Sequence, residues 1–167
     1  MREIGKGIIR QAKKGNGKAF RQVVEYYQHI VYRISYVLLG NSKLAEELAS
    51  DTLIYAYINM ERYPGKQKFS LWLFQIIVFL GKERLCDKRS VFEEDSNMAT
   101  LFLNTSLEER LSIMLQSSNG LTHKEISHVL CLPAPEVFSF IWKGREAVRE
   151  NFHKLHERNI LEVDNPL

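Results

Sequence analysis

The sequence of 167 residues contains only two cysteines, Cys86 and Cys131. Two widely separated cysteines cannot build a disulfide framework, and no CxxC or Cys/His spacing suitable for zinc is present. The most apolar window, Leu71–Leu80, is about half the roughly 20 residues that a membrane-spanning helix needs. No apolar stretch follows the first basic residues, so no secretory signal is expected. These absences predict a cytoplasmic protein without a metal site.

Sequence signatures of catalysis are missing as well. No GxSxG, HExxH, GxxxxGK or GxGxxG pattern occurs, and the five histidines are scattered along the chain. We therefore expect no enzyme, no cofactor and no small-molecule substrate.

Charge is distributed unevenly although the formal net charge is only +3. Residues 1–90 hold 16 Lys or Arg against 8 Asp or Glu, a net charge of +8. Residues 91–167 hold 7 against 12, a net charge of −5. A basic half joined to an acidic half suggests that the basic half contacts nucleic acid.

Hydrophobic periodicity near 3.6 predicts helices, and no stretch alternates with the period of two that is typical of strands. Three long helices are predicted over residues 18–39, from 41 or 42 to about 62, and from about 70 to 88. Gly40 suits a left-handed C-terminal cap, and Asn41 or Ser42 suits the N-terminal cap that follows. The second helix is expected to end at Pro64–Gly65.

Residues 90–106 break this pattern with an acidic run and several Ser, Thr and Asn, so we interpret them as a flexible interdomain linker. Two capping boxes follow, Ser106–Glu109 and Thr122–Glu125. The second box opens a short helix that ends in the turn Cys131–Pro133, before a longer helix over about 135–156. This order is typical of a helix-turn-helix, although a generic αα-hairpin has the same spacing.

Four segments, in order and at matching spacing, resemble the extracytoplasmic-function (ECF) sigma factors of bacterial RNA polymerase. The segment AEELASDTLIYAY at 45–57 resembles the family motif AEDLVQETFLRAY, and FSLWL at 69–73 resembles FRTWL. Ala19–Phe20 with Tyr26–Tyr27 matches the opening helix of the family, and GLTHKEISHVLCLP at 120–133 resembles GLSYEEIAEILGIP. The resemblance implies an all-α fold of two small helical domains joined by a flexible linker, the second a helix-turn-helix domain.

A sigma factor binds core RNA polymerase and directs promoter-specific initiation of transcription, and the resemblance implies this function here. Residues 1–89 would bind core polymerase and the minus-ten promoter element, 90–106 would form the acidic linker, and 107–160 would bind the minus-thirty-five element. The implied partners are core RNA polymerase, promoter DNA and an anti-sigma factor. Two alternatives stay open. One is a degenerate sigma-like regulator that binds polymerase or a partner protein without initiating alone, and the other is an ordinary helix-turn-helix regulator.

Family members dock the helix that carries the AEDL motif on a coiled coil of the largest polymerase subunit. Carried over by the resemblance, the polymerase-binding positions are Glu46, Glu47, Leu48, Ser50 and Asp51. Glu47, Ser50 and Asp51 lie three and four residues apart and therefore share one helix face. A solvated acidic face is the alternative interpretation. The family usually has Gln where Ser50 stands, which predicts a weaker contact at that position.

Promoter melting needs cations for phosphates and aromatic surfaces for unstacked bases. In the first domain the candidate DNA-binding residues are Lys66, Lys68, Trp72, Lys82 and Arg84. We interpret Trp72 as a core residue more than a stacking platform. The family segment RIARN reads QIIVF here, so base recognition is expected to be weak while phosphate attraction persists.

The last helix should enter the major groove, where the family reads GTVKSRLHRAR and this chain reads PEVFSFIWKGR. The candidate DNA-binding residues of this domain are Lys124, Glu136, Phe138, Ser139, Phe140, Lys143 and Arg145. Phe138 and Phe140 replace expected cations, and Glu136 adds a negative charge. Phe138 and Trp142 are four residues apart beside the core stripe. We interpret them as additional core, with an exposed patch for a protein partner as the alternative.

Overall fold

Helices make up all of the regular secondary structure in the described part of the chain, which comprises residues 3–87, 100–102 and 104–163 of the computed structural model. The α-helices whose bounds are described there are α1 (Lys6–Lys13), α2 (Gly17–Leu39), α3 (Ser42–Ile58), α4 (Phe69–Asp87), α5 (Leu107–Ser117), α6 (His123–Leu130) and α7 (Ala134–Val163). The all-α fold class is therefore confirmed for these residues. Positions 90–99 and 103 of the predicted linker lie outside them.

Local polar groups set the ends of the long helices. The Asn16 side chain accepts hydrogen bonds from two backbone N–H groups in the first turn of α2. Gly40 ends α2 with a φ of 68°, in the left-handed region that glycine tolerates. Asn41 then accepts a hydrogen bond of 2.9 Å from the Leu44 N–H and caps α3. The predicted boundary between α2 and α3 is confirmed.

The helices differ from the sequence-based prediction in three places, which are one additional helix and two helix ends. Helix α1 was not predicted, because its few apolar residues form no long stripe. Helix α3 ends at Ile58 and is followed by a 3-10 turn, Met60–Arg62, where a continuous helix to about residue 62 was expected. This tighter turn places the side chain of Met60 in the core. Helix α7 extends to Val163, past the predicted end near residue 156.

Helices α1–α4, which we call the N-terminal unit, pack around the apolar stripe of α2. The fully buried members of that stripe are Val23, Tyr27, Val31, Ile34 and Leu38. Burying each such side chain stabilises the fold by about 1.5–3 kcal/mol. Helix α4 approaches this stripe closely at Gly81, where an added Cβ would lie 2.7 Å from Leu38 Cδ1 and 3.3 Å from Leu48 Cδ2. A side chain at this position would force Leu38 to shift, so the glycine favours the close packing of α4 on α2 and α3.

Helices α5–α7, which we call the C-terminal unit, form the predicted helix-turn-helix arrangement. Both capping boxes are present: Ser106 and Glu109 bond reciprocally at the start of α5, and Thr122 and Glu125 do so at α6. Cys131 ends α6 in the left-handed region with a φ of 56°. The turn that follows directs α7 across α5 and α6, and the apolar side chains of the three helices belong to the same hydrophobic core as those of the N-terminal unit.

Candidate partner and nucleic-acid surfaces

Helix α3 exposes most of the acidic motif that resembles a polymerase-binding segment. Glu46, Glu47, Ser50 and Asp51 are all exposed, so the structure brings these four predicted positions together on one surface. Leu48 is different, because its side chain is completely buried. A direct contact of Leu48 with a partner is therefore wrong for this conformation, and Leu48 supports the surface only by fixing α3 in the core.

An apolar extension of this surface was missed by sequence reasoning. Ile54 is 56% exposed and Ile58 is 71% exposed. These positions follow Glu47 and Asp51 at helical spacing, so α3 presents one continuous stripe that changes from acidic to apolar toward its C-terminus. The available signal was this spacing, which sets Ile54 and Ile58 apart from the buried positions of the same helix. Exposed isoleucines four residues apart on a helix are suited to a protein contact.

An ion pair links the predicted polymerase-binding surface, at Asp51, to the predicted DNA-binding surface, at Arg84. The Arg84 guanidinium donates a hydrogen bond to the Asp51 carboxylate and forms an ion pair between α3 and α4. Arg84 was predicted to contact DNA and Asp51 to contact polymerase. In this conformation each group instead satisfies the other, so the negative charge of the α3 stripe comes mainly from Glu46 and Glu47.

Trp72 stands between the core and a groove of the N-terminal unit. Its ring centroid lies 5.4 Å from those of both Tyr63 and Phe69, which is an ordinary aromatic packing distance. Its side chain is half-buried, and it lines a groove of about 310 Å³ with Arg62 and Phe79. The interpretation of Trp72 as core is correct for one part of the ring, while another part faces the groove. An exposed aromatic and a guanidinium beside this groove are the groups that bind unstacked bases and phosphates.

The remaining cations predicted to bind DNA in this unit have different surroundings. Lys66 is exposed on the segment before α4, and Lys82 is half-buried on α4 itself. Lys68 forms an ion pair of 2.7 Å with Glu125 of α6. The structure therefore brings Lys66 and Lys68 together and places Lys82 and Arg84 more than two helical turns further along.

In the C-terminal unit, the first turns of α7 present an aromatic surface. Phe138 is 60% exposed and Trp142 is 62% exposed. The interpretation of these two residues as core is therefore wrong, because the core face of α7 is already filled by Val137, Ile141 and Gly144. The Phe138 ring packs edge-to-face on the His123 ring, with 5.7 Å between the ring centroids.

The other candidate DNA-binding positions of this unit surround these two rings. Exposed side chains belong to Lys124, Glu136, Lys143 and Arg145, and half-buried ones to Ser139 and Phe140. The Arg145 guanidinium donates a hydrogen bond of 2.8 Å to the Gln116 side chain on α5. This helix surface thus offers aromatic edges and few free cations, which disfavours strong attraction to phosphates.

The two units contact each other where α6 meets the start of α4 and where α5 meets α2. Besides the ion pair between Lys68 and Glu125, the Gln75 amide donates to the His128 carbonyl at 3.1 Å. The His128 Nε2 atom lies 2.6 Å from the Gln67 side-chain oxygen. The hydrogen bond from Lys68 lowers the pKa of the Glu125 carboxyl, and the same bond raises the pKa of Lys68. Glu125, from the acidic half of the sequence, is thus paired with Lys68, from the basic half.

Neither a membrane span nor a metal centre is found in the part of the chain that the structure describes. No described helix is long and apolar enough to cross a membrane. The described His, Cys, Asp and Glu side chains form no group of three that is able to hold a metal ion.

Comparison with known proteins finds similarity to bacterial sigma factors. A sequence profile described as Sigma-70 region 2 matches residues 23–90. The ECF RNA polymerase sigma factor SigW of Bacillus subtilis is 27% identical over 179 residues, covering 88% of this chain and 96% of SigW. The ECF RNA polymerase sigma-E factor of Escherichia coli K12 is 25% identical over 185 residues, covering 90% of this chain and 95% of that protein. The predicted resemblance to ECF sigma factors is confirmed.

Solved structures of similar fold agree with this result. The structure of CnrH in complex with the cytosolic domain of CnrY has a TM-score of 0.75 at 20% identity and covers 88% of this chain and 96% of CnrH. The sigma factor RpoE from Bartonella quintana, solved with the anti-sigma factor NepR, has a TM-score of 0.69 at 15% identity and covers 81% of this chain and 98% of RpoE. At these identities the likeness establishes the fold.

Proposed function

We propose that this chain is an ECF-type sigma factor, which binds core RNA polymerase and directs promoter-specific initiation of transcription. The observation that carries the proposal is the match of residues 23–90 to Sigma-70 region 2, together with full-length similarity to ECF sigma factors. Its function is binding rather than catalysis, and it acts in the cytoplasm, where bacterial transcription takes place. An anti-sigma factor is a further partner, in analogy to the solved relatives.

Residues 1–89 form the domain that binds core polymerase and the minus-ten element in this proposal. The α3 stripe provides the polymerase contact, with Glu46 and Glu47 as its charged part and Ile54 and Ile58 as its apolar part. A charged rim steers a partner of opposite charge, and a desolvated apolar contact supplies binding energy. Residues 107–160 form the minus-thirty-five domain, joined through the acidic linker 90–106.

Co-elution with core RNA polymerase on a size-exclusion column tests the polymerase contact. Glu47→Lys should abolish co-elution, because it reverses a charge in the acidic part of the stripe. Glu25→Lys is the matched control, since it makes the same charge change at an exposed position of α2. Asp51→Lys should also weaken binding, but it breaks the ion pair with Arg84, so Glu47 gives the cleaner result. A wild-type protein that never co-elutes with core polymerase would refute the proposed function.

A second candidate function is favoured by one observation, the poverty of cations on the first turns of α7. Phe138 and Phe140 stand where the family has cations, and Glu136 is exposed beside them. A degenerate sigma-like regulator would bind polymerase yet fail to initiate alone. Run-off transcription on candidate promoters separates the two: promoter-specific transcripts support the sigma factor, and co-elution without transcripts supports the regulator. An ordinary helix-turn-helix regulator would bind duplex DNA without polymerase.

A further inference from the structure

A basic groove lies between α1 and the segment that precedes α4, outside the region matched by the family profile on its α1 side. The groove has a volume of about 450 Å³, within the range of about 300–1,000 Å³ that is usual for ligand sites. Its floor contains the buried rings of Tyr63 and Phe69. Its rim carries five cations, which are Lys6, Arg10, Lys13, Lys66 and Lys68.

The single carboxylate that lines the groove, that of Glu3, offsets only one of these five positive charges and is held by neutral hydrogen-bond donors. Glu3 accepts hydrogen bonds from the Tyr27 hydroxyl at 3.1 Å and from the Ser70 hydroxyl and backbone N–H. Ser70 lies in the first turn of α4 and is buried. Glu3 therefore fastens the N-terminal segment to the start of α4, where a helix favours negative charge.

The walls of the groove are held in place before any ligand binds. The Lys13 Nζ atom donates a hydrogen bond of 2.6 Å to the Tyr63 carbonyl and ties the end of α1 to the opposite wall. Ile9 and Ala12 bury the other face of α1 against the N-terminal unit. The groove is thus a built feature of the fold, since both of its walls are fixed by contacts with residues distant in sequence.

Lys13 is bonded to the opposite wall of the groove, but no ion pair among the described residues accounts for Lys6 and Arg10. Lys6, Arg10 and Lys13 are four and three residues apart, so they share one face of the helix, where like charges repel. Lys6, Arg10 and Lys66 are exposed and form no ion pair among the residues that the structure describes. Cations that face one groove create a positive potential there, which favours the binding of an anion.

An anionic group already pairs with Lys68, which lines one end of this groove, and it belongs to Glu125. Its carboxylate lies 2.7 Å from the Lys68 Nζ atom and belongs to the C-terminal unit. Lys68 is thus already bound to an oxygen anion, as it would be to a phosphate oxygen. The other cations lie further along the same groove toward α1, as a ligand with several phosphates would require.

We propose that the groove between α1 and residues 63–68 binds the phosphate backbone of single-stranded DNA, with Lys6 and Arg10 of α1 as phosphate contacts. The inference rests on the proposed function, which supplies a melted promoter strand at the neighbouring groove of Arg62 and Trp72. Tyr63 of this groove and Trp72 of the other are in ring contact, so the two grooves lie next to each other. Helix α1 thereby extends the DNA-binding surface toward the N-terminus, beyond the family motif.

The test measures binding of the full chain to a fluorescein-labelled thymidine oligonucleotide of about 16 nucleotides. The variant Lys6→Ala/Arg10→Ala removes two cations from the groove. The control Lys14→Ala/Lys18→Ala removes two exposed cations of the same region that do not line it. Each phosphate contact on a single strand contributes about 0.7 to the slope of log K against log salt. The groove variant should therefore flatten the slope by about 1.4 and weaken binding about 25-fold at roughly 0.1 M salt.

Several outcomes would overturn the proposal. Equal affinity and equal salt slope for the groove variant and the control variant would show that only net charge matters. Direct binding of tripolyphosphate, measured by calorimetry, that is lost in the groove variant while oligonucleotide binding is unchanged would assign the groove to a small anion. Thermal unfolding midpoints must match among the proteins, and Lys66→Ala provides a second groove variant outside α1 if α1 is destabilised.

Failure of this inference is distinguishable from failure of the proposed function. Neither Lys6 nor Arg10 lies on the α3 stripe, so the groove variant should co-elute with core polymerase like the wild type. If co-elution persists while oligonucleotide binding is insensitive to the groove variant, only the groove assignment fails. If the wild type does not co-elute, the proposed function fails whatever the oligonucleotide result.

Discussion

Leu48 lies inside the polymerase-like motif of α3, yet its side chain is completely buried. Leu48→Ala should therefore act on folding. The change removes three carbon atoms from the core, which costs about 2.4 kcal/mol at roughly 0.8 kcal/mol per methylene. The cavity left behind raises the expected loss to about 3–5 kcal/mol.

Urea unfolding of Leu48→Ala and of Ile54→Ala measures this difference. Ile54 lies on the same helix but is mostly exposed, so its replacement should change the free energy of unfolding by less than about 0.5 kcal/mol. Ile54→Ala should instead weaken co-elution with core polymerase. If Leu48→Ala keeps wild-type stability and loses co-elution, Leu48 is a direct contact and our assignment is wrong.

Gly81 provides an internal check on the same site. An added Cβ there would press on Leu38 Cδ1 and Leu48 Cδ2, so Gly81→Ala alone should cost about 1–3 kcal/mol by overpacking. In the Leu48→Ala background one of these two contacts is gone. The double variant should therefore be more stable than the sum of the single losses predicts, by at least about 0.5 kcal/mol. Strict additivity would refute the packing geometry.

Three further predictions follow from the C-terminal unit. Phe138→Lys should change the free energy of unfolding by less than about 0.5 kcal/mol. It should also steepen the slope of log K against log salt for duplex binding, measured by fluorescence anisotropy, by about 0.9. A large loss of stability would restore the core interpretation. Because Lys68 lowers the pKa of Glu125, their pairing stabilises the fold above the ordinary glutamate pKa of about 4.3 and is lost as the pH falls through the lowered folded-state pKa. The drop in thermal midpoint between about pH 7 and about pH 3 should thus be smaller in Glu125→Gln, which keeps the capping box, and an equal drop would contradict this. Gly144→Ala should lower the free energy of unfolding in urea by up to about 2 kcal/mol, since its Cβ would lie 2.5 Å from Ile113 Cδ1, and a more stable variant would refute the close approach.

Local sequence information was sufficient for the long helices. The apolar stripe of α2, the left-handed Gly40 and the Asn41 cap act within a few residues of one another, so their effect could be predicted without knowing the rest of the fold. Both capping boxes of the C-terminal unit were predictable for the same reason. Helix α1 was not predictable, because eight residues form a stable helix only when Ile9 and Ala12 are buried by another part of the chain.

The candidate surfaces were predicted in outline and not in detail. Glu47, Ser50 and Asp51 of α3 were predicted to share a face, and all three are exposed on that helix. The exposure of Phe138 and Trp142 could not be predicted. Their spacing places both at the edge of the apolar face of α7, where a side chain can be either buried or exposed. The engagement of Arg84 by Asp51 and of Lys68 by Glu125 joins residues far apart in sequence, and no local pattern reports such pairs.

The sequence by itself determined the helical class, the long helices with their caps, the unequal charge of the two halves and the resemblance to ECF sigma factors. These properties depend on periodicity, short-range hydrogen bonds and residue identity, all of which are local. Only the tertiary structure decided which motif residues reach solvent, which cations are already paired, and that α1 meets the segment before α4 to form a basic groove. Those features depend on the packing of distant helices, where burial and close charge pairs are set by the whole fold.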